Sequence, residues 1–266
     1  KMEMQHHRLM DKLEQQAQND AKAQQTSGAF NGMSMMHQYM GQDGSSFLLM
    51  TQSNKGEPVL TSGGKCPAGV PTKQFDVSMV NIEITLNRWL DFYPGYMYVL
   101  TEDLGKVREE EAKNKEAREK DGFDTGAVTT GLQGDMIQPL VMRANPGDCV
   151  KMTLRNQMEG EDGSLFIQAS SMVVSATGKP ATTTNPESIV APGKAQEFEW
   201  YLHPQMQEGV RQFHSFSHDR ELTVLGLFGA FVVEPKGSKY VEALGSGGPS
   251  PEVKSGWQVN IDNGSG

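Results

Sequence analysis

A chain of 266 residues with a formal net charge of -9 has room for one large domain or two small ones. That acidity excludes a nucleic-acid backbone as the main partner, because phosphate binding needs a basic face and no basic stripe with interleaved aromatics occurs. Only 36% of the residues are hydrophobic, and no apolar run approaches the roughly 20 residues that span a bilayer, so no transmembrane segment is expected.

The opening KMEMQHHRLMDKLEQQAQNDAKAQQ is rich in helix formers, with Met2, Leu9 and Leu13 as its apolar anchors. It predicts a weakly amphipathic helix. It has no apolar stretch of the signal-peptide kind, which leaves the compartment open. TSGAFNGMSMMHQYMGQDGSS follows and reads as loop or extended arm. With TSGGKCPAGVP these segments make residues 1–73 a Met-rich, partly helical arm. Met33, Met35, Met36, His37 and Met40 are candidate Cu(I) ligands there, and Met2, Met4, His6 and His7 add to them, since thioethers with imidazole suit that soft ion. The competing reading is methionine as adaptable filler at an irregular interface. Sixteen methionines spread through the chain favour it.

From Gln74 the period changes. In VNIEITLNRW, Val80, Ile82, Ile84 and Leu86 alternate with Asn81, Glu83, Thr85 and Asn87, which predicts a half-buried strand. EDLGKVREEEAKNKEAREK is almost wholly charged and helix-prone; residues 103–120 are read as a solvated surface helix inserted between strands, with a charged loop as the alternative. Pro146-Gly147 then marks a turn, after which Val150, Met152 and Leu154 alternate with Lys151, Thr153 and Arg155. This register puts Cys149 on the Lys151 face, away from the core. Further strands are expected in SLFIQASSMVVSA, QEFEWYLHP, RQFHSF and LGLFGAFVVEP. Short strands, Gly/Pro turns and one peripheral helix predict an antiparallel β-sandwich over 74–236, and 237–266 reads as an exit linker in which Trp257 can dock. The two cysteines, Cys66 and Cys149, fit a disulfide, two free thiols or one metal thiolate.

PLVMRANPGDCVKMTLRNQ, APGKAQEFEWYL and LGLFGAFVVEPKGSKY, in that order, resemble the first cupredoxin domain of multicopper oxidases. The likeness is strongest to the large bacterial enzymes of the manganese-oxidising and outer-surface metal-reduction type, whose leading segment resembles QFDVSMVNIEITLNRW and whose domain exit resembles SGWQVNIDN. It spans roughly Gln74 to Asn263. The resemblance implies an all-β Greek-key cupredoxin sandwich, copper as cofactor, and a chain that continues into further cupredoxin domains.

Such oxidases hold a trinuclear copper centre with H-x-H pairs, because side chains two apart on a strand share a face roughly 6 to 7 Å apart and imidazole suits copper. By the resemblance, the first pair falls on Phe166 and Gln168 and the second on His214 and Phe216. One expected ligand of four is present. His218 does not restore the pair on an extended strand, where it stands about 13 Å from His214; only a bulge or helical turn over 215–217 brings the two together. His214 and His218 are therefore metal candidates against a prevailing reading as surface or packing histidines. A blue-copper site is not expected, since its cysteine belongs before the last strand and Cys149 opens an early one.

No phosphate loop or nucleophile elbow occurs, and Asp219 and Glu221 beside His218 are an unspecific acid/base cluster. The expectation is a cupredoxin domain of a larger extracytoplasmic copper oxidase, not self-sufficient as an enzyme and with an incomplete copper site of its own. Its partners would be further cupredoxin domains or copies of itself. The alternative is a non-catalytic structural or assembly subunit of a surface complex or filament that uses the Met-rich arm. An extracytoplasmic location follows from the resemblance and from a Cys66–Cys149 bridge if one forms.

Overall fold

Alternating apolar residues make strands that bury one face, and in this chain two sheets bury theirs against each other. The structure is a computed structural model that describes residues 50–52, 58–60, 62–87, 89, 91–120, 135–167, 171–172, 174–175, 177–179, 181, 186–217, 221–243 and 252–263. The candidate residues Met33, Met35, Met36, His37, Met40, Gln168, His218 and Asp219 lie outside them.

Three short strands come first: β1 (Met50–Gln52) pairs with β2 (Pro58–Leu60), and β3 (Ser62–Gly63) leads into the loop that carries Cys66. β4 (Thr72–Thr85) and β5 (Phe92–Leu100) form a long hairpin, followed by helix α1 (Leu104–Glu119). Next come β6 (Leu140–Ala144), β7 (Cys149–Asn156), and the short strands β8 (Gly163–Ser164), β9 (Phe166–Ile167), β10 (Ser171–Met172), β11 (Val174–Ser175) and β12 (Ile189–Val190). β13 (Ala195–Tyr201), β14 (Gly209–His214), the single turn α2 (Glu221–Val224), β15 (Phe228–Val233), β16 (Lys239–Glu242) and β17 (Val259–Asp262) complete the order.

One sheet runs β11-β13-β7-β4-β5 and the other β6-β15-β14-β9. The chain crosses between them repeatedly, which makes an all-β Greek-key sandwich, the architecture expected of a cupredoxin domain. Three ladders among the described residues differ from the antiparallel expectation: β4 runs parallel to β7, β15 to β6, and the short β10 to β3. Neither long parallel pair is joined by a tight hairpin: β7 is reached through β6 of the opposite sheet, and β15 comes beside β6 only after the chain has passed through both sheets.

The inter-sheet core gathers Phe75, Val77, Met79, Met152, Leu154, Trp200, Phe213 and Phe231. Trp200 packs edge-on to Phe231 at 5.5 Å. Gly229 lies where β15 crosses β14 closely; a Cβ there would run into the Phe213 ring and the Leu140 carbonyl. The glycine after α2, Gly226, has φ +112°, a left-handed value that lets the chain turn from the helix into β15.

The other face of the β4–β5 hairpin carries Val80, Ile82, Met97 and Val99, and it is covered as well, by Val107 of α1 and by Ile137. The charged helix is therefore docked, not solvated all round. Its inward positions are Val107, Glu110, Asn114 and Ala117, a helical 3-4-3 spacing in which two of four residues are polar. That is why no apolar stripe shows in the sequence. Glu110 earns its burial by accepting hydrogen bonds from the Met136 and Ile137 amides at 2.6 and 3.1 Å. Further along β4, Leu86 is exposed and Ile84 only half-buried, so the strand's alternation leaves the core before its end.

Residues 237–266, read as an exit linker, carry paired structure. β16 and β17 form an antiparallel ribbon, and Ser255 bridges Met142 on the free edge of β6. Arg143, ion-paired with buried Glu234, donates to the Gly256 carbonyl at 3.0 and 2.9 Å and to that of Trp257 at 3.2 Å. Trp257 does dock: its indole N–H donates to the Pro139 carbonyl at 2.7 Å. No single residue type announces these contacts, because the acceptors are main-chain carbonyls far along the chain.

Cys66 and Cys149 are joined in a disulfide with Cα atoms 5.5 Å apart and a sequence separation of 83. Closing a loop of that length is worth about 4–5 kcal/mol in the chain-entropy account. It also corrects the position of Cys149, which is wholly buried beneath its partner although Lys151 on the same face is exposed.

Candidate metal centre

The last residue of β14, His214, stands opposite Phe228 of β15 and opposite Phe166 of β9. Alternation continues past the strand end, with Phe213, Ser215 and Ser217 buried and His214 and Phe216 half-buried on the outer face.

Hydroxyls hold this extension in place. The Phe216 and Ser217 amides donate to Ser164 Oγ at 2.9 and 3.2 Å. With both lone pairs taken, Ser164 donates its own proton to Ser215 Oγ at 3.1 Å. Ser217 Oγ donates to the Asp162 carbonyl at 2.7 Å, so in the 2.7 Å contact between Ser215 and Ser217 it is Ser215 that donates. The Tyr98 hydroxyl donates to the Ser164 carbonyl, and burial pushes that phenol well above its ordinary range. The hydroxyl chain keeps residues 215–217 extended where no further strand pairs with them.

The register brings together three of the four positions that the resemblance assigns to copper ligands. Phe166 and His214 have ring centroids 5.5 Å apart, and Phe166 and Phe216 have theirs 6.4 Å apart. The neighbours of the one imidazole are thus phenyl rings, which donate no lone pair to a metal. His214 Nδ1–H donates to the Ser215 carbonyl at 2.9 Å. That fixes the tautomer and leaves Nε2 with its lone pair and no hydrogen-bond partner among the described residues. Among the described residues, one nitrogen set among phenyl rings does not by itself supply the ligands of a copper centre.

Neither cysteine supplies a thiolate, since both are consumed in the disulfide. Free thiols and a metal thiolate, both compatible with the sequence, are thereby set aside for this form of the chain. Among the described residues, the one group of three or more His, Cys, Asp or Glu ligand atoms is formed by Cys66, Cys149 and Glu199, all within 4.8 Å of one another. Glu221 is exposed at the start of α2, while His218 and Asp219, its neighbours in the expected acid/base cluster, lie outside the described residues. No helix among them is long and apolar enough to cross a membrane.

A cleft of about 870 Å³ opens beside β5, β6 and residues 252–257 and was not foreseen from the sequence. Lys73, Lys106 and Lys254 face Glu102, Asp103, Glu242 and Glu252 around it. Lys254 Nζ donates to the Gln74 carbonyl at 3.0 Å and lies 5.6 Å from the Phe75 ring centre, so its charge is already engaged. Opposite charges so interspersed select neither an anion nor a cation.

No protein-family model and no curated protein matches the chain. Among solved structures it is similar to a multicopper oxidase, at 15% identity and TM-score 0.39, over 70% of this chain and 46% of that one. A copper nitrite reductase from Nitrosomonas europaea matches at 15% identity and TM-score 0.40, over 62% of this chain and 42% of that one. A bacterial laccase-like multi-copper oxidase from Ochrobactrum sp. matches at 14% identity and TM-score 0.38, over 63% of this chain and 29% of that one. The chain spans less than half the length of each of these structures.

Proposed function

We propose that the chain is a multicopper-oxidase-like cupredoxin domain that serves a larger extracytoplasmic oxidase as a structural piece, with only a remnant of a copper site. The observation that carries this reading is the β9–β14 register, which sets Phe166 and Phe216 around His214 where the resemblance expects histidines. The Cys66–Cys149 disulfide supports an oxidising compartment. The manganese-oxidising and metal-reducing enzymes remain the sequence resemblance behind the reading, and its expected partners are further cupredoxin domains or copies of the chain.

A second reading has one specific observation in its favour. Among the described residues His214 Nε2 is unclaimed, which leaves it able to accept a metal whose other ligands come from a following domain or another chain.

Copper analysis of the purified chain after loading separates the two. The structural reading expects well under one copper per chain that depends on His214. Stoichiometric copper that His214→Ala abolishes would overturn it and make the chain an oxidase segment. An anaerobic Cu(I) titration, with and without residues 1–49, would show whether the Met-rich arm contributes copper binding of its own.

A further inference from the structure

We propose that Cys66, Cys149 and Glu199, brought together from the entry loop, the start of β7 and the middle of β13, form in the dithiol state of the chain a site for a thiophilic divalent cation of the Zn²⁺ class, which the disulfide excludes. The proposal is independent of the copper reading.

The three ligand atoms already lie within 4.8 Å of one another. Two thiolates bound tetrahedrally to one zinc at about 2.3 Å stand about 3.8 Å apart, with a carboxylate oxygen at about 2.0–2.2 Å from the ion and water in the fourth position. Reaching that arrangement requires the sulfurs to separate and little else. Cys149 is held in place, its amide donating to the Pro71 carbonyl at 2.7 Å and its strand paired on both sides. Cys66 is the half free to move: it sits outside any ladder, between Gly64 and Gly69, whose φ values are +76° and +80°.

Glu199 makes no hydrogen bond or ion pair among the described residues, although Lys151 is its cross-strand partner in the β7–β13 ladder. A strand carboxylate with no side-chain partner among the described residues, beside two sulfurs, is a ligand in waiting. Cys149 is fully buried and Cys66 half-buried, so a cation enters from the Cys66 side.

The chemistry balances with a thiol-class reductant. A dithiol gives up two electrons and two protons and closes its own disulfide, while the Cys66–Cys149 bond breaks to leave two thiols. Zn²⁺ then displaces both thiol protons into solvent, and Glu199 binds through a carboxylate oxygen. The site carries a net charge of -1, and the Lys151 ammonium across the ladder partly offsets it.

The test uses the full chain, reduced anaerobically with a water-soluble phosphine, and Zn²⁺ alone as the ligand. Competition with a chromogenic chelator should show one more Zn²⁺ per chain in the reduced form than in the oxidised form, whose arm histidines set the background. Co²⁺ in place of zinc should give thiolate charge-transfer absorption. Glu199→Gln should weaken the additional site at least tenfold, and Cys66→Ser should remove it. Equal zinc binding by oxidised and reduced chain, unchanged affinity in Glu199→Gln, or loss of the far-ultraviolet β-sheet signal on reduction would each overturn the proposal.

Discussion

The outer faces of the two sheets are handled in opposite ways. On the first sheet, β4 and β5 are buried on both sides: the sandwich core lies on one, and α1 covers Val80, Ile82, Met97 and Val99 on the other. On the second sheet, the outer side presents Val210, Phe166, His214 and Phe216, with Val210 66% and Phe166 39% exposed among the described residues. A covered face constrains its residues through packing, even to the point of burying Glu110. An open face leaves its side chains free of such packing, and that is where Phe166 and Phe216 stand beside His214.

The contrast is easiest to break with phenylalanines. Phe231→Ala, between the sheets, should cost about 3–5 kcal/mol in urea unfolding, whereas Phe166→Ala on the open face should cost about 1 kcal/mol or less. Equal losses would mean that the second sheet's outer face is packed after all. Replacing both Cys66 and Cys149 with alanine should lower stability by about 2–5 kcal/mol, with the midpoint of denaturation as the readout. Glu110→Ala strands the Met136 and Ile137 amides under α1 and should cost about 1–3 kcal/mol. If it costs nothing, the helix is a loose cover.

The smallest effect is expected at an exposed clip near the edge strand β11. Lys179 first, then the Ser175 and Thr177 hydroxyls, lower the Glu187 carboxyl from 4.5 to about 2. A carboxyl whose pKa is depressed by folding stabilises the fold above its unfolded value and loses that contribution as pH falls through the folded one. The clip should therefore hold above about pH 4.5 and release toward about pH 2. Carboxyl NMR should place the Glu187 midpoint near the lower figure and show it rising in Lys179→Met. A midpoint that Lys179→Met leaves unmoved would remove the lysine from the account.

Much of the sandwich was legible because period-2 alternation survives wherever one face meets the core, as with Val150, Met152 and Leu154 of β7. The docking of α1 was not, since Glu110 and Asn114 hide its buried side behind polar letters. Nor was the clamp of Arg143 on residues 256 and 257, which depends on carbonyls more than 110 residues away. The cysteine pairing was one of three open readings, and only three-dimensional proximity selects it. At the site, the resemblance named the positions Phe166, His214 and Phe216, but their adjacency came from the β9–β14 register, which a two-residue strand does not announce.

The disulfide also bears on how the chain reaches this fold. Cys149 is the residue at which the parallel β4–β7 ladder begins, paired with Thr72, and Cys66 lies six residues before Thr72. Parallel pairing between segments so distant is slow, because the intervening loop must close before any contact rewards it. In the oxidised chain that encounter is already made, so the ladder can zip from Thr72 toward Met79 as a local event. Stopped-flow refolding should then be faster for the oxidised than for the reduced chain, and the order in which strands assemble would be set at the bridge.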